Sequence, residues 1–378
     1  MDPDGDRCWY CTRIGVYKMF IANRFIKLVL LLCCSLASSN PVIAQQFSGR
    51  VVTMIVNYSP GGPTDIEARM VAKFLPKYLK GVKAVVVKNV PGAGGNIGVN
   101  QLAEGRGDEK YNIGFYTWDP VNQLIQNKTL HVKYNDLKFI AGFRQVSLIY
   151  VRKDVKPGMK KPADIVLADN IMVGVLSLTN HTTLRQRLAM DLLGAKYEII
   201  PGYKGIRDID MAIQQGDIQM TNNSLPGWYA TSKPFLLDTG VVIPVFQYDF
   251  ERHDGTTGRN PTLPDVPTFT EVYKDVKGKN AVPSGIKWDA LKLLTRIMDS
   301  MYRTVFMPPN APPEAAEEMR KAFLELRNDP EFIAAYELSV KTKPDMIVGA
   351  QGELILNDLD QINPKLLEFI KDYIDPKI

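Results

Sequence analysis

Cysteine is almost missing from this chain and vanishes after residue 34: Cys8, Cys11, Cys33 and Cys34 are the only four. Beyond that point a disulfide framework and thiolate-ligated metal are both excluded. Cys8-Trp9-Tyr10-Cys11 has the spacing of a redox motif, but no second pair and no neighbouring strand–helix–strand pattern supports it. Histidine is nearly as scarce. His131, His181 and His253 stand far apart in sequence, so no histidine metal cluster is expected. Neither a G-x-S-x-G elbow nor an H-E-x-x-H helix occurs, and no catalytic set emerges. Charge of one sign is also lacking: the formal net charge is +5, with the basic residues scattered, which gives nucleic-acid binding no support. No internal repeat or low-complexity tract is present.

What remains describes a globular protein. The 378 residues, 45% hydrophobic and 23% charged, suffice for two domains of ordinary size. Residues 1–44 read as an N-terminal extension and a cleavable signal peptide. Arg24 and Lys27 precede an apolar core from Leu28 to Ala37, and Val42-Ile43-Ala44 supplies the small residue before cleavage near Gln45. That core is shorter than the roughly 20 residues that span a bilayer. A lipoprotein signal at Cys33 or Cys34 lacks its small preceding residue, and Met19 is a rival start. Export across the inner membrane to the periplasm is the implied address.

The stretch from Val51 to Leu79 organises the rest. Val51 to Tyr58 is a β-branched, apolar run fit for a strand buried on both faces. Ser59-Pro60-Gly61-Gly62-Pro63-Thr64-Asp65 then makes a tight turn with little side chain on it. Thr64 and Glu67 have capping-box spacing, and Ile66, Met70, Val71, Phe74 and Leu75 recur at helical intervals. A helix N-terminus with open backbone N–H groups suits an anion. Arg69, four residues after Asp65, fits an i,i+4 ion pair better than a ligand contact.

Further strands follow at Ala84–Asn89 and Tyr111–Trp118, alternating with helices, which predicts a parallel, doubly wound sheet with ligands beyond the carboxyl ends of its strands. Phe139 to Arg152 reads as a crossover into a second unit of the same grammar. Its strands are Ile171–Leu176, Tyr197–Ile200 and Ile218–Thr221, and Val241–Tyr248 is placed as the return. The expected domains are 45–144 with 246–378, and 145–245. Thr268 and Glu271 have capping-box spacing. Gly92 to Gly98 after a strand, with Asp119 further on, invites a dinucleotide reading, but the third glycine of G-x-G-x-x-G is replaced by Ile97.

Five motifs in order carry a resemblance. Pro60 to Asp65 with Arg69, Asn89 to Gly98, Pro201-Gly202-Tyr203-Lys204-Gly205, Pro264 to Thr268 and Asp329 to Phe332 together resemble the Bug/TctC extracytoplasmic solute receptors of tripartite tricarboxylate transporters. The resemblance implies a periplasmic-binding-protein-like α/β fold: two doubly wound domains joined by two crossover segments, closing over a cleft. It implies a receptor, not an enzyme, that binds a small organic carboxylate as a monomer, uses no cofactor and delivers its cargo to a membrane permease. Two strand–helix turns would grip the carboxylate. The first offers Tyr58, Ser59, Gly61, Gly62, Thr64 and Asp65, with Gly94, Gly95, Asn96 and Trp118 beside it. The second offers Ser177, Thr179, Asn180, His181 and Thr182, with Asn222 and Asn223 ending a strand at the cleft. Helix capping is an equal reading for Thr179, Asn180 and Thr182 and the favoured one for His181, and ordinary packing is favoured over ligand stacking for Tyr58, Trp118 and Trp228. The alternative function is an exported α/β enzyme, possibly nucleotide-dependent.

Overall fold

The computed structural model describes residues 45–251 and 255–374. The leader expected over residues 1–44 and His253 lie outside them. The chain runs β1 (Val51–Val56), α1 (Pro63–Phe74), β2 (Ala84–Asn89), α2 (Asn96–Ala103), β3 (Ile113–Thr117), α3 (Pro120–Leu124) and β4 (Lys138–Phe143). It continues through β5 (Ser147–Arg152), β6 (Ile171–Gly174), α4 (His181–Leu193), β7 (Tyr197–Ile200), α5 (Ile206–Gln215) and β8 (Met220–Ser224). A π-helical segment, Trp228–Leu237, leads to β9 (Val242–Gln247), the short β10 (Phe250–Glu251) and β11 (Thr257–Gly258), α6 (Phe269–Lys277) and α7 (Ile286–Ser300). The last part comprises β12 (Arg303–Met307), α8 (Pro313–Arg327), α9 (Pro330–Val340), β13 (Met346–Val348), α10 (Ala350–Asp358) and α11 (Pro364–Ile374).

Two sheets result. One has six strands in the order β13-β4-β12-β3-β1-β2, the other five in the order β7-β6-β8-β5-β9. Each is mixed rather than wholly parallel. Parallel strands β2-β1-β3 and β7-β6-β8 come from strand–helix–strand units, whereas β12 lies antiparallel between β3 and β4, and β5 antiparallel between β8 and β9. The exceptions have one cause. β5 and β12 enter their sheets directly from the other lobe, with no crossover helix to turn the chain around. Their first residues therefore lie beside the last residues of the parallel strands: Arg303 is opposite Thr117, and Ser147 opposite Ser224.

Both faces of each sheet are covered. In the first lobe Ala68, Val71 and Leu75 pack with Ala315, Met319 and Phe323 of α8 on one face, and Val99, Leu102 and Leu356 cover the other. In the second, Leu184 and Leu188 of α4 pack with Val272 and Leu291, and Ile209 and Ile213 of α5 with Trp228 on the opposite face. Burying such a side chain is worth about 1.5–3 kcal/mol. Residues 246–251 and most of 255–300, expected with the first domain, lie with the second: β9 pairs with β5, and Phe269, Ala290 and Leu294 join the second core. An apolar strand pairs wherever an open edge meets it, and here that edge is β5. The chain thus changes lobes at 144–146 and again at Met301-Tyr302. In addition α11 returns to the second lobe, where Ile370 is fully buried.

Candidate functional site

The carboxyl ends of the parallel strands in both sheets meet around a cavity of about 30 Å³. From the first lobe come Tyr58, Gly62, Pro63, Thr64 and Thr117; Tyr302 and Arg303 stand where the chain returns to it. From the second come Leu176, Thr182, Gly205, Ile206 and the run Asn222-Asn223-Ser224.

Gly62 is the N-cap of α1 and Pro63 its first residue, so proline, which has no N–H to waste, starts the helix. This displaces the capping box expected of Thr64 and Glu67. Thr64 Oγ1 is hydrogen-bonded to Thr117 Oγ1 at 2.8 Å, and Glu67 turns into the core. Asp65 instead closes the turn, accepting from the Gly61 N–H at 2.8 Å and from Arg69 Nε at 2.9 Å. Burial opposes its ionisation, but Arg69, the Gly61 N–H and Asn89 together hold its pKa below the usual value.

Arg303 has no counterpart among the expected site residues. Its guanidinium is buried and donates through Nε to Glu67 Oε2 at 2.8 Å, through Nη1 to Thr117 Oγ1 at 2.8 Å and through Nη2 to Ser224 Oγ at 2.9 Å. The last bond crosses from one lobe to the other. Glu67 also accepts from Tyr336 and Gln145. Burial raises its pKa, against the opposing pull of Arg303 and those two donors. The sequence signal for Arg303 was modest: a charged residue leading the apolar run Thr304 to Met307.

The other expected residues divide by place. Tyr58, Gly62, Thr64, Thr182, Asn222 and Asn223 share the cavity. Ser59 and Gly61 lie on the seam between lobes, where the Ser59 N–H donates to Lys204 O at 3.3 Å and a Cβ on Gly61 would strike Arg207. Gly94 is on the seam too: its carbonyl accepts from Tyr58 Oη at 2.9 Å and from Asn180 Nδ2 at 3.1 Å. Its φ of +65° and the approach of Ser177 explain the glycine there. Gly95 packs under Tyr58 and Asn57, and Asn96 donates to Thr129. Trp118 is wholly buried edge-on to Tyr134, outside the cavity. Ser177 bonds with Thr179, which donates to Asn122.

The second turn differs most from expectation. The N-terminus of α4 is filled by a carboxylate of the protein itself. Asp119, following β3 of the first lobe, accepts from Asn180 Nδ2 and from the His181 N–H at 3.2 Å. His181 is buried edge-on to Tyr302, and burial lowers its pKa, which keeps the ring neutral. The acid whose position suited a ribose is thus spent on a helix. Facing α1 across the cavity is instead the start of α5. Gly205 is its N-cap, and a Cβ there would come within 3.2 Å of Ser59 Cβ. Gly205 ends the Pro201–Gly205 motif and Ile206 follows it, but neither was among the expected site residues; nor were Thr117, Leu176, Ser224 and Tyr302. Among the described residues, no group of three or more Asp, Glu, His or Cys is placed to hold a metal ion, and no helix is long and apolar enough to cross a membrane.

No family model matches the chain. Among solved structures, the periplasmic binding protein BugD superposes with a TM-score of 0.63 at 21% identity, covering 86% of this chain and 98% of BugD. MatC from Rhodopseudomonas palustris with bound malate gives 0.61 at 18% identity, covering 87% and 100%. A second R. palustris protein, with adipate, gives 0.64 at 20%, covering 85% and 97%. The architecture is that of a periplasmic binding protein. In sequence, a UPF0065 protein from the TAR-I ttuE-ttuC' intergenic region of Agrobacterium vitis is 26% identical over 328 residues, covering 83% of this chain and 81% of that protein. Protein BugT of Bordetella pertussis is 35% identical over 86 residues, 23% of this chain and 26% of BugT. The chain is thus similar to Bug proteins in stretches of sequence as well as in fold.

Proposed function

We propose that the protein is an extracytoplasmic solute-binding receptor that takes up a small organic carboxylate between its lobes and presents the closed, loaded form to a membrane permease. The observation that carries this reading is the meeting of two helix N-termini, Gly62 of α1 and Gly205 of α5, with Arg303 around one interlobe cavity. Each helix N-terminus favours a carboxylate by roughly 0.3–1 kcal/mol, and each charge-assisted hydrogen bond adds about 1.5–3 kcal/mol. Three such bonds with the two dipoles sum to about 5–11 kcal/mol, a range that spans the roughly 8 kcal/mol of micromolar affinity. Glu67 balances Arg303, so the pair brings no net formal charge to the site, and the cargo's charge is met by oriented N–H groups. Malate in MatC and adipate in the second R. palustris protein agree with a carboxylate here. The cargo leaves unaltered, which separates this reading from an exported enzyme.

A thermal-shift series tests it. Ligand at 100 times its Kd adds about 2.7 kcal/mol, which reads as several degrees in Tm. A mono- or dicarboxylate should raise Tm, NAD(P) and nucleotides should not, and Gly62→Val or Thr182→Val should remove the shift while the circular dichroism spectrum is kept. A shift with nucleotide and none with any carboxylate rejects the receptor.

A further inference from the structure

The cavity between the lobes comes to solvent on one side, and an unpaired cation stands there. Of the described residues that line it, all are buried except Leu176 and Ile206, which are half-buried. Both belong to the second lobe, so the way out runs beside them. Arg207 follows Ile206 and is exposed. Its side chain reaches across the seam and lies along Gly61 of the first lobe. A Cβ on that glycine would stand 2.5 Å from Arg207 Nη1 and 3.4 Å from its Cδ. Gly61 adjoins Gly62, which lines the cavity from the opposite jaw. The guanidinium therefore sits at the lip, between the two jaws.

Local stability does not account for an arginine at this place. It is the second residue of α5, in the first turn, where the helix dipole disfavours a cation. Among the described residues it makes no ion pair and no hydrogen bond. The charges around it are few. Asp65 is bonded to Arg69 and Glu67 to Arg303, so the first-lobe side is balanced. On the second-lobe side Lys204, exposed and also without a charged partner among the described residues, joins Arg207 against the neighbouring acid Asp208. Positive charge is thus in excess where the cavity opens. We infer that Arg207 is a steering residue, whose unpaired charge draws the anionic cargo to the lip and speeds its capture. This rests on the receptor reading above and extends it from the bound state to the encounter. Attraction of this kind acts on association more than on residence, and salt screens it.

The test separates association from dissociation. Calorimetry with malate, succinate, adipate, lactate and propionate gives Kd, exchange broadening of their proton resonances gives koff, and koff divided by Kd is kon. Arg207→Met keeps most of the bulk and removes the charge; Arg207→Glu reverses it. At about 10 mM ionic strength, where the screening length is about 30 Å, kon for an acid that binds should fall about threefold in the first variant and about tenfold in the second. In both, koff should stay within about twofold of wild type. At about 1 M salt, with a screening length of about 3 Å, both variants should approach wild type. Lys321→Glu makes the same charge reversal at an exposed position of α8 that lines no part of the cavity, and there kon should hold. Should Arg207→Glu fail to fold, Arg207→Met decides. An unchanged kon at low salt, a loss that persists at high salt, or an effect carried by koff overturns the inference and leaves the receptor standing. Equal slowing by Lys321→Glu also overturns it, since net charge would then suffice. No binding by any acid of the series removes the inference together with the receptor reading.

Discussion

At the scale of single residues, the pair Glu67–Arg303 decides how the first lobe ends at the cavity. Two charges 236 positions apart in sequence share a fully buried bond, and no local pattern announces it. Breaking such a pair from one side leaves an uncompensated charge, at a cost of about 3–5 kcal/mol. Arg303→Met should lower stability by that amount, and adding Glu67→Gln should recover most of it. Denaturant midpoints of the two variants check this, and equal losses in both would show that the pair is not the cause. Asp210 makes a second residue-level case. Burial raises its pKa from 3.8 to about 6, against the pull of Ser232 and Tyr150. Because the folded value is the higher one, this contribution to stability is fully present below pH 3.8 and lost as pH rises through about 6. The stability of wild type relative to Asp210→Asn should therefore fall by up to about 3 kcal/mol across that window. Chemical denaturation at pH 4, 5, 6 and 7 measures it, and a flat difference would reject the assignment.

At the scale of elements, local signals were read well and partners poorly. Thr268 and Glu271 form the expected capping box, with both reciprocal bonds made, and Asp65–Arg69 is the expected i,i+4 pair. Both signals need nothing beyond one turn of helix. Thr64 and Glu67 have the same spacing yet form no box, because Pro63 starts the helix one turn position earlier and each side chain finds a distant partner. The start of α4 was legible as a helix N-terminus, but not that Asp119 from the other lobe would fill it. That bond makes α4 part of the seam. Asp119→Ala removes a cap worth about 0.5–2 kcal/mol together with a tie between lobes. It should lower Tm and raise the radius of gyration seen by small-angle scattering in the absence of cargo. A lower Tm with an unchanged radius would confine Asp119 to capping.

At the scale of the whole molecule, hydrophobic periodicity and the alternation of strands and helices carried the two-lobed α/β architecture. What sequence order could not carry was strand direction and lobe membership. β12 reads as one more apolar strand, and its antiparallel insertion is what delivers Arg303 to the cavity edge. Likewise Val241 to Tyr248 was a fair candidate for a return strand. Its pairing with β5 keeps it in the second lobe, where Phe269, Val272, Leu291 and Leu294 also pack.

The helix α11 has a mechanical meaning. α10 is fixed to the first lobe through Leu356, α11 to the second through Ile370, and residues 359–363 run between them. Five residues drawn straight reach about 17 Å. That connection is a third covalent tie between the two lobes, and its chain length sets an upper bound on how far its two anchors can lie apart.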